Sequence, residues 1–198
     1  MMKYLQKLGK ALMLPVACLP ICGILMGIGY ALAPAAMAGE VNGYVASGTA
    51  YTIGFFPCMM FGVPGAALAM VHTAKSNKKK VAIGLVGSAA FCAFLCGVTE
   101  PFEFGFMFLA PGLYVVYALL YGIFVTVTTL LGFRAGFSFS AGATDLLFSA
   151  SLPAAEKTWM IIPLGIAAFI IFYVVFRFAI TKFNLKTPGR EDDDTDET

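Results

Sequence analysis

Charge is scarce in this chain. Asp, Glu, Lys and Arg make up only 12% of its 198 residues, about half the share usual in soluble domains. A soluble fold of this size would have too little polar surface to cover itself. Histidine occurs once, at His72, and tryptophan once, at Trp159. The cysteines Cys18, Cys22, Cys58, Cys92 and Cys96 all lie inside apolar runs and form no Cys-x-x-Cys pair. That excludes a disulfide framework. Cys18/Cys22 and Cys92/Cys96 share a helix face at i, i+4, a spacing that a metal site can use. Small apolar packing is the better reading of both pairs. No metal and no cofactor are expected.

Apolar residues make up 60% of the chain. They gather in stretches at about 11–33, 51–73, 81–97, 104–132 and 159–181, each close to the length that spans a bilayer. The first follows a basic start as a secretory signal does, but it is too long for a signal core and reads as a retained helix. The expected fold is all-α: a polytopic membrane protein with about four transmembrane helices plus one or two re-entrant hairpins. Residues 1–50 hold the first helix and its connection, 51–190 the carrier-like part, and 191–198 an acidic tail expected to be disordered.

The few charges are informative by position. Lys3, Lys7 and Lys10 precede the first run. Lys75, Lys78, Lys79 and Lys80 separate two runs, and Lys182, Lys186 and Arg190 follow the last. Basic clusters beside spans mark the cytoplasmic side. Both termini and the lysine loop are therefore expected to be cytoplasmic. Parity then asks for one net crossing between 81 and 158: with a re-entrant hairpin over 81–103, the stretch at 104–132 makes that crossing. These lysines have no aromatic platform among them, so nucleic-acid binding is not expected. His72 reads as an interfacial residue, and Arg177 as one that snorkels to the headgroups.

Glu100 and Glu103 stand apart, in Gly97-Val98-Thr99-Glu100-Pro101-Phe102-Glu103-Phe104. A carboxylate at membrane depth costs about 2.5–3.5 kcal/mol on insertion scales, so such residues face a cavity or a binding site. Gly97 frees the backbone, and Pro101 pushes Glu100 away from helical geometry. Helix ends there would offer free backbone groups to a polar solute. A carboxylate accepts hydrogen bonds from adjacent hydroxyls, which suits a neutral sugar. Glu100 is the candidate ligand, with a structural role as the alternative. Glu103 reads as a structural brace. A proton pathway is disfavoured because no relay of further ionisable groups accompanies the pair.

The same segment resembles the signature of the membrane IIC component of phosphotransferase-system sugar permeases, glucose superfamily. Further similarity lies in Phe55-Phe56-Pro57 through Ala69, in Ala135 through Ala143 and in Phe183-Asn184-Leu185-Lys186-Thr187-Pro188-Gly189-Arg190, and less distinctively at Lys10 to Ala33. The chain is most similar to the N-acetylglucosamine-specific branch. The resemblance implies that Glu100 hydrogen-bonds the sugar with Thr99 alongside, and that Glu103, with Pro101 and Gly97, shapes the hairpin. It implies a second re-entrant hairpin at Gly62-Val63-Pro64-Gly65, with Gly62 and Pro64 near substrate. It also implies transport in the bacterial cytoplasmic membrane, coupled to phosphorylation by separate IIB and IIA components, and association as a homodimer. The membrane part supplies binding and positioning and no catalytic residue.

Members of that family have a IIC region roughly twice this length. Several helices are expected to be missing, including the one that carries a His and an Arg near the sugar. The phosphoryl donor domain is likewise expected on another chain. The alternative reading is a shortened, non-transporting remnant that acts as a membrane scaffold or associates with a full-length IIC.

Overall fold

A computed structural model of the chain describes residues 55–131, 135, 140–150, 155 and 157–190. The expected first helix at 11–33, its flanking lysines, much of the 133–158 region and the acidic tail lie outside the described residues.

Among the described residues the fold is all helical. Helix α1 runs over Phe55–Thr73, α2 over Lys79–Cys96, α3 over Glu100–Met107, α4 over Pro111–Leu131 and α5 over Ala143–Ser149. A 3-10 turn at Thr158–Met160 leads into α6, Ile161–Lys182. Helices α1, α2, α4 and α6 are long and apolar enough to cross a membrane.

Burial ranks these four. In α1, 61% of the span is buried, against 33% in α2 and 28% in each of α4 and α6. Helix α1 is therefore the central helix, with α6 packed along it and α2 and α4 beside it. The outer helices turn large apolar side chains outward: Val81, Ile83 and Phe91 on α2, Leu119, Ile123 and Leu130 on α4, and Ile162, Ile166 and Ile170 on α6. An exposed apolar face on every outer helix is what a lipid environment selects and water would not.

Small residues let α1 and α6 approach closely. A Cβ built on Gly65 would fall 2.3 Å from the Phe169 carbonyl oxygen, and one on Gly165 would meet the Phe61 ring. Small residues at a helix crossing allow backbones this near. The main core joins Val63, Ala66 and Met70 of α1 to Ala89 and Ala93 of α2, Phe102 and Phe106 of α3, Tyr117 of α4, and Phe172 and Phe176 of α6.

One sequence expectation needs correcting. Pro57, Gly62, Pro64 and Gly65 do not turn α1 back on itself. The chain continues as one helix, with a π-helical stretch at Cys58–Gly62 in which the Val63 N–H bonds to the Cys58 carbonyl. Pro64 has no N–H, and its ring clashes with the carbonyl four residues before it in a regular helix. A wider turn just upstream relieves that conflict without breaking the rod.

The re-entrant hairpin expected over 81–103 is not confirmed. Helix α2 is uninterrupted for 18 residues and stops at Cys96, a rise of about 27 Å. It is thus a fourth candidate span in its own right. The shorter α3 follows after a three-residue break at Gly97, Val98 and Thr99.

Candidate functional site

The break between α2 and α3 is built from backbone outward. Gly97 takes a left-handed conformation (φ 71°), and its N–H caps α2 on the Ala93 carbonyl at 2.8 Å. Glycine is the usual residue at this helix-ending position because it carries no Cβ. Here space matters as well: a Cβ on Gly97 would lie 2.7 Å from the Ala141 nitrogen and the Ser140 hydroxyl. On the other side, a Cβ on Gly142 would lie 2.4 Å from Cys96 and Gly97 backbone. Two glycines thus seat the 140–142 segment against the end of α2.

Hydroxyls from that segment satisfy the exposed carbonyls of the α2 terminus. Ser140 Oγ donates to the Gly97 carbonyl at 2.8 Å, and Thr144 Oγ1 donates to the Leu95 carbonyl at 3.0 Å. Asp145, buried in the first turn of α5, accepts the Ser140 N–H at 3.0 Å. Its role in this arrangement is structural.

Helix α3 then opens with Glu100, Pro101, Phe102 and Glu103. Pro101 sits in the first turn, where its missing N–H would have no helical partner in any case. The two glutamates lie near the positive end of the helix, but their surroundings differ. Glu103 is half-buried. One of its carboxylate oxygens accepts the Thr99 hydroxyl at 2.8 Å and the Tyr117 hydroxyl at 3.0 Å. The Tyr121 hydroxyl stands 2.9 Å from that of Tyr117 and extends the chain along α4. Burial pushes the Glu103 carboxyl above the ordinary carboxylate value, while the bonds from Thr99 and Tyr117 act in the opposite direction.

Glu100 is exposed and makes no hydrogen bond or ion pair among the described residues. A carboxylate with no hydrogen-bond partner among the described residues, at the start of a helix and beside a tightly built turn, is placed to accept hydrogen bonds from a polar solute.

The structure therefore brings Thr99, Glu100, Pro101, Glu103 and Gly97 together. Thr99 is buried, and its hydroxyl goes to Glu103 instead of standing open next to Glu100. Gly62 packs on the Phe172 ring, and a methyl group in place of its hydrogen would stand 3.1 Å from that ring. Pro64 lines an apolar cleft of about 340 Å³ with Met60, Phe61, Ala90, Phe91, Phe94 and Phe169. The side chains named around that cleft are all apolar. His72 lies at the far end of α1, hydrogen-bonded to Tyr173 at 3.0 Å. Among the described residues, no three His, Cys, Asp or Glu side chains meet as a metal site.

Sequence reasoning missed Tyr117 and Tyr121, and the Ser140 and Thr144 hydroxyls. The tyrosines did leave a signal. Tyr114, Tyr117 and Tyr121 follow one another at three- and four-residue steps, one face of a helix. Nothing in the spacing alone says that this face meets Glu103.

These features define a helical membrane protein with a pair of carboxylates at a tightly packed helix break, one braced and one exposed. Comparison with known proteins narrows the class. The family described as "Phosphotransferase system, EIIC" matches residues 35–122. The chain is 54% identical over 158 residues to the "PTS system N-acetylglucosamine-specific EIICBA component" of Escherichia coli K12, covering 78% of this chain and 24% of that protein. It is 51% identical over 156 residues to the N-acetylglucosamine-specific EIIC component of Streptomyces coelicolor, covering 77% of this chain and 37% of that protein. It is also 51% identical over 147 residues to the N-acetylglucosamine-specific EIICB component of Bacillus subtilis, covering 74% and 32%. The chain belongs to the phosphotransferase-system EIIC family. It matches between about a quarter and somewhat over a third of the length of these relatives.

Proposed function

We propose that this chain is the sugar-binding membrane part of a phosphotransferase-system permease of the bacterial cytoplasmic membrane, taking N-acetylglucosamine or a related hexose. The observation that carries the reading is the contrast at α3: Glu103 is braced by two hydroxyls, and Glu100 is exposed with no partner among the described residues. A free carboxylate accepts hydrogen bonds from neighbouring sugar hydroxyls without the desolvation of a competing partner. In this reading Glu100 is the sugar ligand. Thr99 acts through Glu103, holding the turn that aims Glu100. Gly97 and Pro101 fix the break, and Gly62 and Pro64 shape the α1 wall.

The named specificity of the relatives supports N-acetylglucosamine. A glucose-specific relative from Staphylococcus saprophyticus is 51% identical over 139 residues, so glucose is the natural competitor. Phosphorylation of the sugar would be carried by IIB and IIA partners, and two of the relatives above are named as fused EIICBA and EIICB components. Both termini and the lysine loop would face the cytoplasm, and a second copy of the chain or a full-length IIC would stand beside it. None of the relatives compared above is named for a scaffold role.

Equilibrium binding of radiolabelled N-acetylglucosamine to membranes holding the protein tests the proposal. Binding is expected, with glucose as the weaker competitor. Glu100→Gln is expected to weaken it about tenfold or more, as for loss of a charge-assisted bond. Equal binding by wild type and Glu100→Gln would remove Glu100 from the site.

A further inference from the structure

The end of the bundle near the lysine loop carries a second polar constellation, separate from the glutamates. His72, one residue before the end of α1, places Nδ1 3.0 Å from the Tyr173 hydroxyl of α6. Arg177, one turn further along α6, donates from a terminal guanidinium nitrogen to that same hydroxyl at 2.6 Å. The guanidinium also lies over the Tyr173 ring, 5.8 Å from its centroid, and the His72 ring meets that ring edge-on. One tyrosine thus holds a histidine and an arginine from two neighbouring helices in a fixed arrangement. Both His72 and Arg177 are exposed.

The charge there is not neutralised by the described residues. Among them Arg177 makes no ion pair, and of its five N–H donors one is used, on a neutral hydroxyl. Lys182 lies about one turn beyond on the same helix, with its ammonium over the Phe178 ring. Lys79 and Lys80 are exposed at the start of α2. The remaining donors of a planar guanidinium match two oxygens of a phosphate. The surrounding outer faces are apolar, carrying Val174 and Phe178. A ligand seated here meets fixed donors at one end and hydrocarbon-compatible surface below them.

We infer that Arg177, His72 and Tyr173 form a headgroup site for an anionic phospholipid, with the phosphate on Arg177 and His72 and an acyl chain along the α1–α6 face. Basic groups between membrane helices beside a lysine-rich loop are the setting in which such headgroups bind.

The test is equilibrium binding of fluorescent phosphatidylglycerol to the purified protein in detergent, with phosphatidylcholine and inorganic phosphate as competitors. Saturable binding that phosphatidylcholine and phosphate fail to displace is expected. Arg177→Gln should weaken it about fivefold or more, the effect of one interfacial cation. Tyr173→Phe removes the hydroxyl that fixes both groups and should weaken it less, without loss of charge. The pair Lys79→Gln and Lys80→Gln should leave the saturable component in place. Unchanged affinity in both Arg177→Gln and Tyr173→Phe would overturn the assignment. So would complete displacement by phosphate, which would make the site one for free phosphate, or loss confined to the lysine variants, which would make it diffuse attraction.

Discussion

Two hydroxyls converge on a single oxygen of Glu103, and the Tyr117 hydroxyl links it onward to Tyr121. Tyr117 is almost fully buried, among Phe102, Phe106, Phe172 and Phe176. Tyr117→Phe keeps the ring and those contacts and removes only the donor. A half-buried carboxylate then loses a partner, which costs about 1–3 kcal/mol. A lower melting temperature in detergent is expected, with helix content unchanged before the transition. Glu100→Gln should leave the melting temperature close to wild type, because Glu100 has no partner among the described residues to lose. A Tyr117→Phe protein as stable as wild type would show that the hydroxyl does not brace the turn. The two glutamates stand three residues apart in sequence, yet they are separable by stability against binding.

At the scale of the element, the contact between α1 and α6 depends on what is missing from it. Gly65 faces the Phe169 backbone, so a methyl group there meets a carbonyl that cannot rotate away. Gly65→Ala should push the helices apart and lower the yield of folded protein. The loss should reach several kcal/mol, as overpacking against backbone does. Gly84→Ala on the outer face of α2 meets nothing within 4 Å. It should be neutral or stabilising by up to about 1 kcal/mol, through the reduced freedom of the unfolded chain. Melting curves of the two variants side by side check both expectations. The apolar runs made the long helices legible, because span length and hydropathy are local properties. The course of α1 was not legible in the same way. The resemblance implies a hairpin at Gly62-Val63-Pro64-Gly65, and packing of α6 along the helix outweighs the local preferences of its proline and glycines. The break at Gly97 was legible because Gly, Pro and two carboxylates interrupt an apolar sequence. Its support from Tyr117 and Ser140 was not, since both arrive from elements far along the chain.

At the scale of the molecule, the segment after α6 is tied back to the end of α1. Asn184 adopts a left-handed conformation (φ 45°), and the Leu185 N–H returns to the Ile180 carbonyl at 3.1 Å, closing α6. Arg190 then reaches across. Its guanidinium donates to the Thr73 carbonyl at 2.9 Å, to Asn184 Oδ1 at 2.6 Å and to the Leu185 carbonyl at 3.3 Å. The Lys75 N–H bonds to the Gly189 carbonyl at 2.9 Å. The end of α1 and the 184–190 segment are thus one unit, held largely by a single side chain. Arg190→Ala should loosen it by about 1.5–3 kcal/mol, as for hydrogen bonds to a charged group. Amide exchange at Lys75 and Leu185 should accelerate by roughly tenfold or more, with the α4 core amides unaffected. Exchange unchanged at both sites would show that backbone bonds alone hold the segment. Sequence similarity marked this segment, but only the folded chain shows its arginine bridging to α1.

The π-helical stretch of α1 gives the central helix two phases. Phe56 ahead of it and Met60 within it supply a small core with Ala135, Ala141 and Ile161. After it, Val63, Ala66 and Met70 supply the main core. Removing one residue from the regular α-helix that follows 58–62 would therefore act less as a shortening than as a twist of about 100° between the halves of one rod, whereas the wider π turn carries a residue more than an α turn. Whichever half stayed seated, the other would turn its apolar side chains away from their partners. Along this helix the residue count is itself a structural quantity, and substitutions are easier to tolerate than insertions or deletions.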